Sequence, residues 1–428
     1  MKNDIGYYNV GDQKFGNKYD AVMYAQRTDQ DVTWHFFDEV FDKVDWTVEP
    51  ELSLNELYRI RAQQIRDTYD YLIVFCSGGA DSNNVIRTFL NNNIHVDEVM
   101  GIAPMNGLNN WEFDKNNLSE DNTISETKYA MFPLFDEIAA KNPNIKLTIN
   151  DYFNDVIDKK DEQWTYEACG NIVTVLTSHF TDIARFKHID QLIQQGKRIG
   201  LVYGTDKPIV RIDNNNDLYF IFADSGINYL NMPEDRQTPN VDRVLFYWTP
   251  DLPELLVKQA HVVHKAISLP ENLYLCDSLR ARPSSVTFAT FQDYIDRQVN
   301  ENVDPISKAD ILKRFMPTNE LSDRLLKFSS KSVYQRTIVP FIYPTTYTKD
   351  LFQCQKVDAD AGFFTRDQAW VHALHKNTRV SDMVLSGVTQ LYASITPKYL
   401  NINGTGFINY YKIYKYGNLS KYLKSGSA

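Results

Sequence analysis

The clearest pattern along the chain is an alternation of short apolar runs with amphipathic stretches between about residues 71 and 204. Tyr71–Cys76 is an unbroken apolar run that ends at a Ser-Gly-Gly sequence, as in a parallel strand buried on both faces. Apolar residues at helical spacing then predict a helix over 81–91. The same order continues with strands at 96–103, 145–149 and 198–204 and helices at 125–140 and 177–195. The alternation predicts an α/β fold, an open parallel sheet with helices on both faces.

The patterns on either side of this stretch divide the chain into three sections. Residues 1–50 form an N-terminal extension in which recurring glycines (Gly6, Gly11, Gly16) indicate turns or a hairpin. Residues 51–268 form the α/β domain. Residues 269–428 have mostly helical periodicity, for example at 288–299, 308–315 and 367–377, and predict a mostly helical C-terminal domain.

Three further elements belong to the α/β domain. A helix before the first strand has Ser53 at its N-cap and Glu56 three residues on, which is a capping box. Two strands at 209–212 and 218–222 flank a polar turn and predict an antiparallel hairpin. A strand at 244–248 precedes a helix at 252–267.

Composition narrows the class of protein. The chain has 428 residues, 43% hydrophobic and 23% charged, which fits a soluble globular protein of more than one domain. We expect no membrane span, because no apolar run approaches the roughly 20 residues that a span needs.

The N-terminal residues and the cysteines bear on the compartment. We expect no signal peptide, because the first residues are not apolar, and the four cysteines are far apart without a CxxC pair, so a reducing cytoplasm is expected. Abundant Tyr, Phe and Asn are typical of AT-rich genomes, those of phages included, in which case the location is the host cytoplasm. The net charge of −10 argues against indiscriminate nucleic-acid binding, although it leaves a local basic groove open.

The sharpest chemical signal lies between the first strand and the helix after it. Two glycines let the backbone turn tightly and approach a ligand, and the first N–H groups of the helix favour an anion such as pyrophosphate. The two serine hydroxyls can donate further hydrogen bonds, and the aspartate can hold Mg²⁺. The loop lacks the Lys-Ser/Thr ending of a Walker A motif. The candidate binding residues are Ser77, Gly78, Gly79, Ala80, Asp81 and Ser82.

This hexapeptide is similar to the SGGxDS signature of the PP-loop ATP pyrophosphatases, or adenine nucleotide alpha-hydrolase-like superfamily. The layout most resembles the synthetase domain of asparagine synthetase. The resemblance covers about residues 55–225, and the hexapeptide is its specific motif. It implies that the loop binds the pyrophosphate of ATP with Asp81 on magnesium, and that adenine lies at the end of the second strand, near Ile102 and Ala103.

A second group of candidates follows the fourth strand. Lys207 is a candidate catalytic cation and Asp206 a second magnesium ligand, because both follow a strand at the carboxyl edge of the sheet. An ordinary turn with a solvated lysine is the competing interpretation.

The resemblance implies an ATP-dependent adenylating enzyme that forms AMP and pyrophosphate, in particular an amide-forming ligase similar to asparagine synthetase. The expected acceptor is a small molecule or a nucleobase. The chain has no cysteine before Cys76, so we expect no in-chain glutaminase, and ammonia would come free or from a glutaminase partner. Three alternatives stay open: a nucleobase- or tRNA-modifying enzyme of the same family, a nucleotide-binding module without turnover, and a tight turn that binds no nucleotide.

Other patterns have plainer explanations. His261 and His264, like His372 and His375, are one helical turn apart, but neither pair has a third zinc ligand nearby. Helix-surface or core histidines are the preferred interpretation. Tyr247 and Trp248 are interpreted as core residues before a helix N-terminus rather than as rings at the mouth of a site.

Overall fold

A computed structural model gives the fold. It describes residues 5–102, 127–150, 187–205, 209–224, 238–280, 338, 341–343, 395–399 and 407–423. The strands in these ranges are β1 (Tyr7–Val10), β2 (Gln13–Phe15), β3 (Val32–His35), β4 (Tyr71–Cys76), β5 (Glu98–Ile102), β6 (Lys146–Asn150), β7 (Ile199–Tyr203), β8 (Ile209–Ile212), β9 (Asp217–Ala223), β10 (Val241–Leu245) and β11 (Tyr411–Asn418). The α-helices are α1 (Lys18–Thr28), α2 (Asp38–Phe41), α3 (Leu54–Thr68), α4 (Ala80–Asn91), α5 (Phe132–Lys141), α6 (Lys187–Gln194), α7 (Glu254–Ile267), α8 (Leu275–Arg280) and α9 (Ser420–Leu423).

The centre of the fold is a five-stranded parallel sheet in the order β10-β7-β4-β5-β6. All five residues of β7 are buried, as are five of the six residues of β4. Interior parallel strands have no solvent face, which explains why the sequences of both strands are nearly continuous apolar runs. The predicted α/β architecture with a parallel sheet is therefore confirmed.

Local sequence signals account for the helix that leads into this sheet. The Glu56 N–H donates to Ser53 Oγ (3.3 Å), and the Ser53 N–H donates to Glu56 Oε2 (2.9 Å), so the predicted capping box is present. The helix buries Leu57, Ala62 and Ile65 on its inner face.

Two antiparallel sheets complete the described architecture. The predicted hairpin at 209–222 is β8–β9, and β11 adds to its other edge, which gives the order β11-β9-β8. The C-terminal section thus shares a sheet with the middle section. The N-terminal section contains the predicted hairpin, β1–β2, but also a third strand, β3, and helix α1, which the sequence did not predict.

Buried polar contacts join the N-terminal section to the rest of the molecule. Lys18 Nζ lies 2.8 Å from Asp224 Oδ2, and both side chains are buried. The Tyr8 hydroxyl donates to the same carboxylate at 2.8 Å. These contacts hold β1 and α1 against the end of β9. Loss of either partner would leave a buried charge without compensation, which strongly destabilises a folded protein.

One strand boundary was predicted wrongly. The strand expected at 244–248 is β10, Val241–Leu245, and Phe246–Trp248 are buried beyond its end. The Arg61 guanidinium donates to the carbonyl oxygens of Leu245 (2.8 Å) and Phe246 (3.2 Å). The Arg61 side chain therefore takes up backbone carbonyl groups at the end of β10 that a neighbouring strand would otherwise bind.

Some predicted elements cannot be compared with the fold. The helices expected at 288–299, 308–315 and 367–377 lie outside the described residues, so the mostly helical C-terminal domain stays a prediction. Among the helices that are described, none has the length and apolar character required to cross a membrane.

Candidate functional site

The predicted phosphate loop lies where the order of strands in the parallel sheet reverses. From β4 the chain moves outward through β5 and β6, then returns to the other side of β4 to form β7 and β10. Residues 77–79 leave the carboxyl end of β4 at this point. In open α/β sheets the ligand crevice opens between the two strands at such a reversal, here β4 and β7.

The backbone of the loop has the geometry of an anion site. Gly78 has a φ of 89°, a left-handed conformation that favours glycine. Gly79 occupies the N-cap of α4 and has no side chain with which to cap the helix. The first turn of α4 therefore presents backbone N–H groups and the positive end of the helix dipole at the carboxyl edge of the sheet.

The two serine hydroxyls bond within the loop. Ser77 Oγ accepts from the Gly79 N–H at 3.0 Å. Ser82 Oγ accepts from the Ser77 N–H at 3.2 Å and lies 3.2 Å from the Gly79 carbonyl oxygen, to which it donates. These hydroxyls, expected as donors to an anion, fix the shape of the turn in this structure.

Asp81 lies beside three buried tyrosines that the sequence did not single out as functional. The Tyr247 hydroxyl donates to the Asp81 carbonyl oxygen at 3.0 Å and accepts from Asn84 Nδ2 at 3.0 Å. Tyr58 and Tyr343 pack around Tyr247, with ring centroids 6.0 and 5.5 Å away.

The tyrosine hydroxyls remain protonated. Burial raises the pKa of Tyr58, Tyr247 and Tyr343 above the ordinary value, and the negative charge of Asp81 raises all three further. Neutral phenols are hydrogen-bond donors, so the start of α4 is held by groups that do not titrate at physiological pH.

The tyrosines come from distant parts of the chain. Tyr58 is on α3 and donates to the Ile342 carbonyl oxygen at 2.8 Å, while Gln259 on α7 donates to its hydroxyl at 3.0 Å. The sequence offered a partial signal for Tyr247, in the aromatic pair before α7. Tyr343 has no local motif, since only tertiary packing brings residues 341–343 to the loop.

The end of β7 touches the start of α4. A Cβ at Gly204 would lie 3.1 Å from the carbonyl carbon and oxygen of Asp81 and from Ser82 Cα. This close approach brings Gly204, the residue after β7, against the first turn of α4.

The remaining predicted site residues are only partly described. Ile102 is the last residue of β5, and the register that pairs Gly101 with Cys76 sets its backbone level with Ser77, at the same edge as the loop. Ala103, Asp206 and Lys207 lie outside the described residues. Within the described ranges no group of three or more His, Cys, Asp or Glu residues is suited to hold a metal ion, and His261 contacts the Trp46 carbonyl oxygen instead.

No protein-family model matches the chain. No curated protein matches it either. The features of this chain that bear on its function are therefore the loop, its surroundings and the topology of the sheet.

Proposed function

We propose that this protein is an ATP-dependent adenylating enzyme of the PP-loop type, which cleaves ATP to AMP and pyrophosphate and acts as an amide-forming ligase. The observation that carries the proposal is the Ser77–Ser82 loop at the reversal point of a parallel sheet, with a left-handed Gly78 and an uncapped start of α4. Both the sequence of the loop and its position in the fold match a pyrophosphate site.

The proposed reaction is a displacement at the α-phosphorus. A carboxylate or amide oxygen of the acceptor forms a bond to the α-phosphorus, and the bond to the bridging oxygen of pyrophosphate breaks. A nucleophile such as ammonia then displaces AMP from the acyl- or imidoyl-adenylate. Catalysis of this kind depends mainly on positioning and on stabilising the charge of the leaving group.

The chain's own residues have separate parts in this scheme. The N–H groups at the start of α4 bind the leaving pyrophosphate, and Ser77 and Ser82 keep the turn in shape. Asp81 would hold a magnesium ion, which supplies positive charge to the phosphate oxygens. The contact between Gly204 and Asp81 supports roles for Asp206 and Lys207, because the segment that carries them begins beside the loop.

Incubation with α-labelled ATP, Mg²⁺ and metabolite pools tests the proposal. We expect labelled AMP, and we expect Asp81→Asn to reduce its formation by about 100-fold or more, since a lost electrostatic contact in an active site has about that effect. Asp12→Asn, in the exposed turn between β1 and β2, is the matched control.

Two outcomes would redirect the assignment. Labelled ADP as the product would exclude the PP-loop chemistry. ATP that raises the melting temperature but stays intact with every pool would favour a nucleotide-binding module without turnover.

A further inference from the structure

Helix α7 packs against the C-terminal strand β11 through the ring of His264. A Cβ at Gly417 would lie 2.7 Å from Nδ1 of this ring and 2.8 Å from its Cε1, so the imidazole occupies the space that a side chain at position 417 would need. The pairing of β11 with β9 changes register between Lys415 and Gly417. The imidazole therefore supports the strand at the point where its ladder is irregular.

The surroundings of the His264 ring suit a neutral imidazole. Tyr416 on β11 and Tyr422 on α9 pack edge-on against it, each with a centroid distance of 6.2 Å. The Nε2 atom is buried and has no hydrogen-bond partner among the described residues. A neutral imidazole can leave that nitrogen unprotonated, whereas an imidazolium must donate from both nitrogens. Protonation would thus bury a charged N–H without an acceptor, which is costly.

The charges near His264 oppose its protonation as well. The three bases whose charges act on the ring come from both α7 and α9, so an imidazolium would be repelled from two sides. The carboxylate of Glu49 lies 2.7 Å from one of these bases, Lys265, and is already engaged in that ion pair. The ionisable groups that face the ring are His261 and Lys265 from α7, Tyr416 from β11, and Lys421 and Tyr422 from α9.

These surroundings give the contact a pH dependence of defined sign. Burial lowers the pKa of His264 below its ordinary value of 6.5, the neighbouring bases lower it further, and a hydrogen bond to the Asn418 backbone raises it without reversing the shift. When β11 separates from α7, the imidazole returns to water and to the ordinary pKa, so protons bind preferentially to the separated form. The stabilisation is complete above pH 6.5 and is lost as the pH falls from there toward the pKa of the packed ring.

We propose that His264 is an acid-sensitive clamp on the C-terminal end of β11. The neutral ring holds Gly417 against α7, and the protonated ring releases the strand. Release uncovers the edge of β9 at Asp217 and Leu218, which pair with Asn418 and Gly417. The clamp is independent of the nucleotide chemistry proposed for residues 77–82.

Hydrogen exchange of the full chain at about pH 7.5 and about pH 5.5 tests the clamp, with rates corrected for the intrinsic effect of pH on exchange. We expect the protection of β11 and of Asp217–Ala223 to fall by up to about tenfold at the lower pH, which is the limit for one group of ordinary histidine pKa over this interval. His264→Gln, whose side chain is neutral at both pH values, should show less than about half of this change. His95→Gln is the matched control, because that side chain is 56% exposed and lies outside the contact.

Two further measurements leave His264 in place. The Cε1–H resonance of His264 should titrate below pH 6.5 in the native chain. Lys421→Glu, at an exposed position, replaces a positive charge near the ring by a negative one. It should move the titration of His264 to higher pH and reduce the loss of protection on acidification.

Four results would overturn the proposal. These are a change in protection of less than about twofold between the two pH values, equal changes in the native chain and His264→Gln, equal loss of protection throughout the parallel sheet, or a His264 resonance that titrates at or above pH 6.5. Circular dichroism and thermal melting at the higher pH establish that each variant is folded.

Discussion

At the scale of single residues, Gly204 lies in close contact with the backbone at the start of α4. A Cβ at this position would lie 3.1 Å from backbone atoms of Asp81 and Ser82, which belong to the first turn of α4. Backbone atoms inside a helix cannot move independently of one another, so the contact fixes the distance between the end of β7 and the start of α4.

Gly204→Ala is therefore expected to lower the free energy of unfolding by about 1–2 kcal/mol, as other overpacking substitutions do. We also expect weaker ATP binding, because the first turn of α4 must shift. Gly16→Ala is the control, since a Cβ there meets no atom within 4 Å. Urea unfolding with and without ATP measures both effects, and equal ATP affinity of the two variants would contradict this account of the loop.

At the scale of elements, helix α7 is joined to the N-terminal section through Glu49. Its carboxylate lies 2.7 Å from both Lys258 Nζ and Lys265 Nζ, two lysines on the same helix. Burial by itself would raise the pKa of Glu49, but the hydrogen bonds and charges of the two lysines outweigh it and lower the pKa to about 2.

The lowered pKa gives this contact a defined pH window. Its stabilisation is complete above the ordinary pKa of 4.5 and is lost as the pH falls toward about 2, where the folded protein also becomes protonated. Glu49→Gln should reduce the free energy of unfolding by up to about 1 kcal/mol at pH 7, the usual range for partly exposed ion pairs. The difference from the native chain should disappear near pH 2. Urea titrations across this range measure it, with Glu51→Gln as an exposed control; a difference that persists at pH 2 would contradict the assignment.

The sequence predicted some elements well because their signals are local. Tyr71–Cys76 is apolar on both faces, and the Ser53–Glu56 capping box lies within four residues. Both could therefore be predicted without knowledge of the fold. Strand β11 has no such signal. It mixes tyrosine and lysine with one isoleucine and ends in Gly-Asn, and its partner β9 lies far away in the sequence.

The same contrast between local signals and long-range packing applies to the candidate site. The loop at 77–82 was identified because one short segment supplies its turn, its hydroxyls and its helix start. Tyr58 and Tyr343 belong to the same site only through packing across 284 residues, as in the bond from Tyr58 to Ile342.

For the whole molecule, β11 connects the C-terminal section to both other sections. It pairs with β9, and its Tyr414 ring stacks on Trp46 with a centroid distance of 4.3 Å. Trp46 in turn lies against Phe41 and Phe220, so a single strand covers one end of a large aromatic cluster.

Tyr414→Ala should lower the free energy of unfolding by about 3 kcal/mol, as for other large aromatic deletions. Hydrogen exchange should become faster in Asp217–Ala223, the partner strand, because β11 would separate from it more often. Lys415→Ala, at an exposed position of the same strand, removes only an ion pair with Asp217 and should cost less than about 1 kcal/mol. Unchanged exchange in β9 would contradict the role given to this strand.

The pairing of β11 with β9 also bears on the synthesis of the chain. Strand β9 leaves the ribosome with β8 on one side, and the strand that completes its other side follows about 190 residues later. At about 5–20 residues per second the interval is roughly 10–40 s. Throughout that time Leu218, Phe220 and Phe222 lie on a strand with one unpaired edge, which is the structure most prone to join another nascent chain. We therefore expect aggregation of the nascent protein to be reduced by rapid translation of residues 224–418, or by a chaperone that covers β9 until β11 emerges.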